Sequence, residues 1–315
     1  MALMQKNYLF GSEGRWKRLV PLYLLVPGVF LYLLIGIGPS MATAVYSFTD
    51  ATGIKGAPIN WVGFDNFDEF LFRGLASRDN IAATVRTLQF SVVVTFIQFT
   101  LGLILALLLN QKLKGRTFFR TLFFIPVILG VVIQGLMWKL FLLPSSGPMA
   151  EFLGIFGYQG EFLGGQPTEA FGWVIVVQIW ANVGITMVIF LAGMQTISAD
   201  LYEAARIDGA SSMQVFRNIT WPQLTPAINT NFLLNIIGSL QAWQLFLVLT
   251  GYKPGTQVLG YLVFAEGFGQ TTGSVSASFR QGFAAAASIV LFFLVLLIGL
   301  AANRFVTRRE RKYMA

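Results

Sequence analysis

Two groups of residues in this chain have types and spacings that could do chemistry. The first is a polar stretch between two long uncharged apolar runs: Tyr202-Glu203-Ala204-Ala205-Arg206-Ile207-Asp208-Gly209, then Ile219-Thr220-Trp221-Pro222. The second is a set of amides and indoles inside the apolar runs on either side, with Gln178, Trp180 and Asn182 before the stretch and Asn235, Gln241, Trp243 and Gln244 after it. The acids Asp200, Glu203 and Asp208 lie at spacings of three and five, so they do not all share a helix face, which argues against an acid-base cluster. Histidine and cysteine are absent, which removes the imidazole base, the thiolate nucleophile and the His/Cys metal cluster. No Gly-x-x-x-x-Gly-Lys-Ser/Thr loop is present either, so the chain lacks that means of holding a nucleotide. What remains is contact chemistry. Amides and indoles suit the hydroxyls and apolar faces of a polyhydroxylated solute. The competing assignment is structural, since amides also join helices within membranes and tryptophans mark the interface.

The elements that must position these groups are membrane helices. Of 315 residues, 55% are hydrophobic and 11% charged, with a mean hydropathy of +0.67, more apolar material than a soluble domain of this size can hide. A hydrocarbon layer of about 30 Å takes about 20 residues of helix. Six runs meet that length: 19–48, 82–110, 121–138, 171–197, 227–250 and 282–303. Their apolar residues lie on all sides and do not alternate, which favours helices over barrel strands. The expected fold is therefore an all-α polytopic membrane protein with six transmembrane helices, kinked locally at Pro27, Pro39 and Pro126. Residues 1–18 form an N-terminal segment, 19–303 the transmembrane domain and 304–315 a basic tail that anchors at lipid headgroups. Basic residues collect on the side of Arg15, Lys17, Arg18, Lys112, Lys114, Arg116, Arg120, Arg206, Arg217, Arg304 and Arg308. Acids collect on the side of Asp50, Asp65, Asp68, Glu69, Glu151, Glu161 and Glu169. That asymmetry places both termini and the Glu203 stretch in the cytoplasm and assigns the formal charge of +8 to lipid and not to nucleic acid. The first run is long for a signal peptide and lacks a small-residue cleavage site, so it is expected to be a retained anchor. Each span is taken to be free of Asp, Glu, Lys and Arg between its ends, which argues against an ion-driven transporter.

Within residues 198–226 the signals describe a rigid knob. Asp200 is expected to cap a first helix with Glu203 reaching back, Gly209 to end it in the left-handed conformation, Ser211 and Gln214 to open a second helix as a capping box, and Pro222 to close that helix before the next span. Ala204 and Ala205 keep one face thin, so another surface can approach. Asp65, Asp68 and Glu69 with Trp61 and Phe64 form a mixed acidic and aromatic patch on the far side, either a docking surface or a short interfacial helix.

The pattern Glu203-Ala204-Ala205, Asp208-Gly209, Ile219 and Pro222 resembles the EAA loop of permease subunits in binding-protein-dependent ABC importers. Trp61-Val62-Gly63-Phe64-Asp65-Asn66-Phe67, Leu113-Lys114-Gly115-Arg116-Thr117-Phe118-Phe119-Arg120 and Ile207-Asp208-Gly209-Ala210-Ser211 are similar to the carbohydrate branch, the maltose-type and glycerol-phosphate-type permeases with a MetI-like, type I importer fold. Ser198, Trp221 and Gly251-Tyr252-Lys253-Pro254 depart from that pattern without touching the motif's core. The resemblance implies a prokaryotic inner-membrane protein that is not itself an enzyme. Its partners would be a second, homologous permease subunit, a dimeric ATPase that binds ATP and magnesium, and an extracytoplasmic solute-binding protein. It implies ATPase coupling through Glu203, Ala204, Ala205, Asp208, Gly209, Ile219 and Pro222. It also implies solute contact near Gln178, Trp180, Asn182, Asn235, Gln241, Trp243 and Gln244. The solute would be a sugar, an oligosaccharide or a polyol, with a glycerophosphodiester also compatible.

Overall fold

The computed structural model of the chain describes residues 15–111, 113–144, 146–158, 160–269 and 279–314, all helix, turn and loop apart from one isolated bridge between Thr49 and Trp61. Lys112 falls outside them. The elements run α1 Arg15–Leu31, a π turn Tyr32–Ile37, α2 Gly38–Tyr46, α3 Asp65–Leu71, α4 Gly74–Asn110, α5 Arg116–Ile128, α6 Val131–Phe141, α7 Pro148–Gly154, α8 Pro167–Gln195 and α9 Ala199–Ile207. There follow α10 Ser212–Val215, a second π turn Phe216–Thr220, α11 Trp221–Gln223, α12 Thr225–Leu240, α13 Gln244–Leu249, α14 Leu259–Phe268 and α15 Gln281–Met314.

Among the described residues four helical stretches are long and apolar enough to cross a membrane: Tyr23–Tyr46, Arg78–Asn110, Pro167–Gln195 and Gln281–Arg308. The count of six is not reproduced, for two physical reasons. The run 121–138 divides into α5 and α6, which meet at 103° across Leu129 and Gly130 just after Pro126, so together they make one broken span or a re-entrant loop. The run 227–250 divides into the 16-residue α12 and the 6-residue α13, with Gln241–Trp243 non-helical between them. The charge-free interior also needs correction. Arg86 lies inside the Arg78–Asn110 span, half-buried, where its Nε donates to the Gln257 carbonyl at 2.8 Å.

Prolines and π turns occur together. Pro39 and Pro222 each follow a π turn, and the residue before each donates back five positions, Gly38 to Leu33 and Trp221 to Phe216. A wider turn relieves the ring's clash with the carbonyl four residues back, so both prolines sit inside a continuing helical path. Pro222 therefore does not end the knob's second helix, as the sequence led us to expect. The path runs on through α11 into α12.

Lipid is as apolar as leucine, so packing and hydrogen bonds hold such helices together. One apolar cluster joins α4, α8, α13 and α14 through Phe90, Val94, Val177, Phe246, Leu249 and Tyr261. A second joins α4, α8 and α12 through Ala106, Met187, Phe190 and Ile228, with Leu224 at their root. Between these lies a polar seam. Gln98 Nε2 donates to Asn235 Oδ1 at 2.9 Å and Thr186 Oγ1 at 3.0 Å, Thr186 Oγ1 donates to Asn235 Oδ1 at 3.2 Å, and Ser91 and Ser239 share a hydrogen bond of 2.8 Å. Tyr23–Tyr46 packs none of its most apolar stretch inside the chain, and Leu24 is 77% exposed.

Candidate functional site

The knob is built by local backbone chemistry. α9 starts two residues earlier than the acids suggest. Ser198, in extended conformation, caps it by accepting from the Asp200 N–H at 3.2 Å, which leaves Asp200 in the first turn, where its charge faces the positive end of the helix. At the other end Gly209 adopts φ +71°. The Gly209 N–H reaches the Arg206 carbonyl at 3.1 Å and the Ala210 N–H the Ala205 carbonyl at 2.9 Å, the paired bonds of a Schellman stop. The capping box forms as expected, with Ser211 N–H to Gln214 Oε1 at 2.7 Å and Gln214 N–H to Ser211 Oγ at 3.4 Å. Tyr202 and Thr220 hydroxyls, 3.2 Å apart, tie α9 to the π turn.

Glu203, Ala204, Asp208 and Gly209 are exposed on this knob, Ala205 is buried, and Ile219 and Pro222 are half-buried at its base. Two apolar side chains that the sequence reading passed over stand out, Ile207 at 86% and Met213 at 72% exposure. Both lie beside the motif, and the available signal was an apolar residue in an otherwise polar turn. The knob's root is closely packed: a β-carbon on Gly193 of α8 would lie 2.6 Å from Ala227 Cβ of α12.

The amides and indoles divide into two sets. Gln178 and Asn182 of α8 join Gln241, Trp243 and Gln244 around a cavity of about 460 Å³, whose other walls are Val127, Leu129, Val131, Gln134, Gly238, Ala242 and Leu245. No lining side chain is charged. The cavity sits between two breaks, the bend at Leu129 and Gly130 and the interruption at Gln241–Trp243, where helix ends leave backbone groups available. Trp243 stacks on Phe264 with centroids 4.7 Å apart, which fixes its indole, and Asn182 Nδ2 donates to the Gln178 carbonyl at 3.0 Å. Trp180 and Asn235 do not line this space. Trp180 packs edge-on against Trp138 at 5.5 Å, and Asn235 is buried in the α4–α8–α12 seam. The sequence reading missed Gln134. It is the amide of a strongly apolar run, placed shortly after Pro126 and Gly130.

On the far side the acidic patch is largely neutralised within the chain. Arg73 pairs with Asp68 at 2.6 Å and Asp65 at 3.3 Å, and Arg280 pairs with Glu69 at 2.6 Å and lies over the Phe283 ring. Trp61 and Phe64 remain 69% and 72% exposed, so the surface offered there is chiefly aromatic.

Residues 98–312 match the family described as the binding-protein-dependent transport system inner membrane component. The chain is 28% identical over 312 residues to a probable starch degradation products transport system permease protein of Thermoanaerobacterium thermosulfurigenes, covering 98% of this chain and 99% of that one. It is 32% identical over 292 residues to a trehalose/maltose transport system permease protein of Thermococcus litoralis, covering 90% and 92%. Among solved structures, a chain of a bacterial alginate ABC transporter in complex with an alginate pentasaccharide-bound periplasmic protein superposes with a TM-score of 0.79 at 25% identity, covering 95% of this chain and 99% of that one.

Proposed function

Since this chain belongs to the family of inner-membrane components of binding-protein-dependent transport systems, a multi-pass permease and not an enzyme in itself, we propose that it moves a neutral sugar or oligosaccharide inward, powered by a separate ATPase gripping the knob. The observation that carries the reading is the charge-free cavity of about 460 Å³ lined by Gln134, Gln178, Asn182, Gln241, Trp243 and Gln244 between two broken helices. Amide groups match hydroxyls as donors and acceptors, and an indole held by stacking offers a flat apolar face to a pyranose ring. An anionic solute would call for a cation in that lining, and none is present. The relatives named for starch products and for trehalose/maltose support the neutral sugar class.

Power enters elsewhere. Carboxylates in the described spans stand only near helix starts, at Asp79 and Glu169, away from the cavity lining. An ion-driven transporter usually has such a group, or a comparable polar ion site, at its coupling site. In this proposal Glu203, Ala204, Asp208 and Gly209 form the contact face, the buried Ala205 with Ile219 and Pro222 seat it, and a second permease subunit and a solute-binding protein complete the assembly. The test is uptake of labelled maltose and trehalose into proteoliposomes holding the full assembly. ATP-dependent uptake that Gln178→Ala and Gln244→Ala weaken by a raised KM supports the reading. Uptake by the chain alone under an ion gradient overturns it.

A further inference from the structure

We infer that Gln134 is a positioning residue that holds the bend between α5 and α6 and so keeps the solute cavity open. This deepens the transport reading, but its first test does not depend on it. The α5–α6 break removes helical partners from the carbonyls at the end of α5, and in a membrane no bulk water replaces them. Gln134, one turn into α6 and 8% exposed, supplies the replacement. Its Nε2 donates to the Pro126 carbonyl at 2.7 Å and to the Leu129 carbonyl at 3.0 Å, so one side-chain amide spans the break.

The next residue fixes the same turn from the other side. A β-carbon on Gly135 would lie 2.5 Å from Val248 Cγ1, so α6 rests directly on α13. α6 is thus tied to α5 by Gln134 and seated on α13 through Gly135, and α5, α6 and α13 each contribute to the cavity wall. The two breaks that frame the cavity are thereby joined through one helical turn. Without the two donors, the Leu129 carbonyl loses its side-chain donor, the Pro126 carbonyl keeps only the Leu129 N–H at 3.1 Å, and the 103° bend loses the bond that spans it.

The chain has no cysteine, so spin labels can be placed at will. Labels at Leu122→Cys and Leu140→Cys, both exposed, report the α5–α6 angle by pulsed electron-electron distance measurement. Two variants separate the possible roles. Gln134→Met keeps length and volume without the donors. Gln134→Lys keeps donors while removing the amide oxygen, and a lysine bridging two carbonyls has a precedent in this chain, where Lys253 Nζ donates to Leu163 and Gly165. The expected result is loss of the single inter-label distance in Gln134→Met and its return in Gln134→Lys. In the assembled transporter Gln134→Met should raise the KM for maltose on the order of tenfold, a larger effect than on kcat, and Gln134→Lys should restore it. An unchanged distance in Gln134→Met overturns the inference, as does disruption by both variants, which would assign the bend to packing. A bend restored by Gln134→Lys with KM still raised also overturns it, in favour of direct solute contact by the amide oxygen. If the unsubstituted assembly takes up neither sugar, the transport reading fails and the label distances still decide the role of Gln134.

Discussion

The knob's stiffness can be tested at Gly209. Its φ of +71° belongs to the left-handed region, and a β-carbon built there meets nothing within 4 Å. A substitution at this position is therefore opposed by backbone conformation alone, with no clash to confuse the result. A β-branched residue forced into that conformation costs about 1–2 kcal/mol. The Schellman bonds from Gly209 and Ala210 to Arg206 and Ala205 should then open about 5–30 times more often. Hydrogen exchange on Gly209→Val in detergent should show that increase at residues 208–210, with protection in α8 and α12 unchanged. Gly209→Asn, which tolerates the left-handed region, should change exchange by only a few tenths of a kcal/mol equivalent, roughly twofold or less. In the full assembly the valine variant should lose ATP-driven uptake in proportion to the opening. Unchanged exchange in the valine variant would refute the argument that this turn is held by left-handed geometry. Faster exchange with unimpaired uptake would refute the idea that a stiff knob carries the stroke.

Ile207→Asp should leave folding intact, because the side chain is 86% exposed, yet weaken capture of the ATPase by about thirtyfold, corresponding to roughly 2 kcal/mol of apolar burial lost, as read by co-purification at graded ATPase concentrations. Asn235→Leu removes the acceptor shared by Gln98 and Thr186 and should lower thermal stability in detergent by about 1 kcal/mol, whereas a loss confined to transport KM would place Asn235 in the solute path instead. Burial holds the Glu266 carboxyl above its ordinary value, with the nearby Glu69 acting in the same direction and Arg280 against it. The ionised form therefore costs folded-state stability at neutral pH, and the cost fades as pH falls through the raised value toward the ordinary 4.5. Glu266→Gln should accordingly raise Tm at pH 7.5, with the gain vanishing near pH 4.5, and a gain that grows on acidification would contradict the burial account.

What could be read in the sequence followed the range of the forces involved. Gly209, the Ser211 and Gln214 box and the existence of long apolar helices depend on neighbours a few residues away, and their signals are written locally. The Ser198 cap was displaced from Asp200 by two residues because either side chain can accept from the first turn, and only the extended backbone at Ser198 decides between them. The broken spans were not readable by hydropathy, since 121–138 and 227–250 remain apolar through their breaks. Bending at Leu129 depends on Gln134 and on Gly135 meeting Val248 from a distant part of the chain. Arg86 was counted with the outward-side basic residues although it falls within 82–110, and in the fold its guanidinium is accommodated in the span by the Gln257 carbonyl. Trp180 and Asn235 were grouped with the cavity residues by residue type, depth and resemblance, and side-chain direction around the helix separated them.

The same geometry bears on how movement at the knob could reach the cavity. α12 leaves the knob through α11 with no loop between them, and 16 residues of helix carry it about 24 Å to Leu240 at the cavity's edge. At its root it is locked to α8 by the close approach of Gly193 and Ala227, with Leu224 fully buried beside them. Halfway along, the Gln98–Thr186–Asn235 seam binds both helices to α4. A force applied to the knob therefore meets a braced pair of helices and not one flexible strut, and the helical path is next interrupted at Gln241–Trp243 and, across α6, at the bend at Leu129. Those two points border the cavity into which Gln134, Gln178, Asn182, Gln241 and Gln244 bring their amides. Tilting the braced pair would change the spacing between the breaks, and hence the reach of Gln178, Gln241 and Gln244 toward a common solute, without breaking any hydrogen bond of the seam. In the proposed reading, affinity for solute is set by helix geometry and helix geometry by the knob, so a cavity with no charge of its own can still be driven through a cycle by hydrolysis on another subunit.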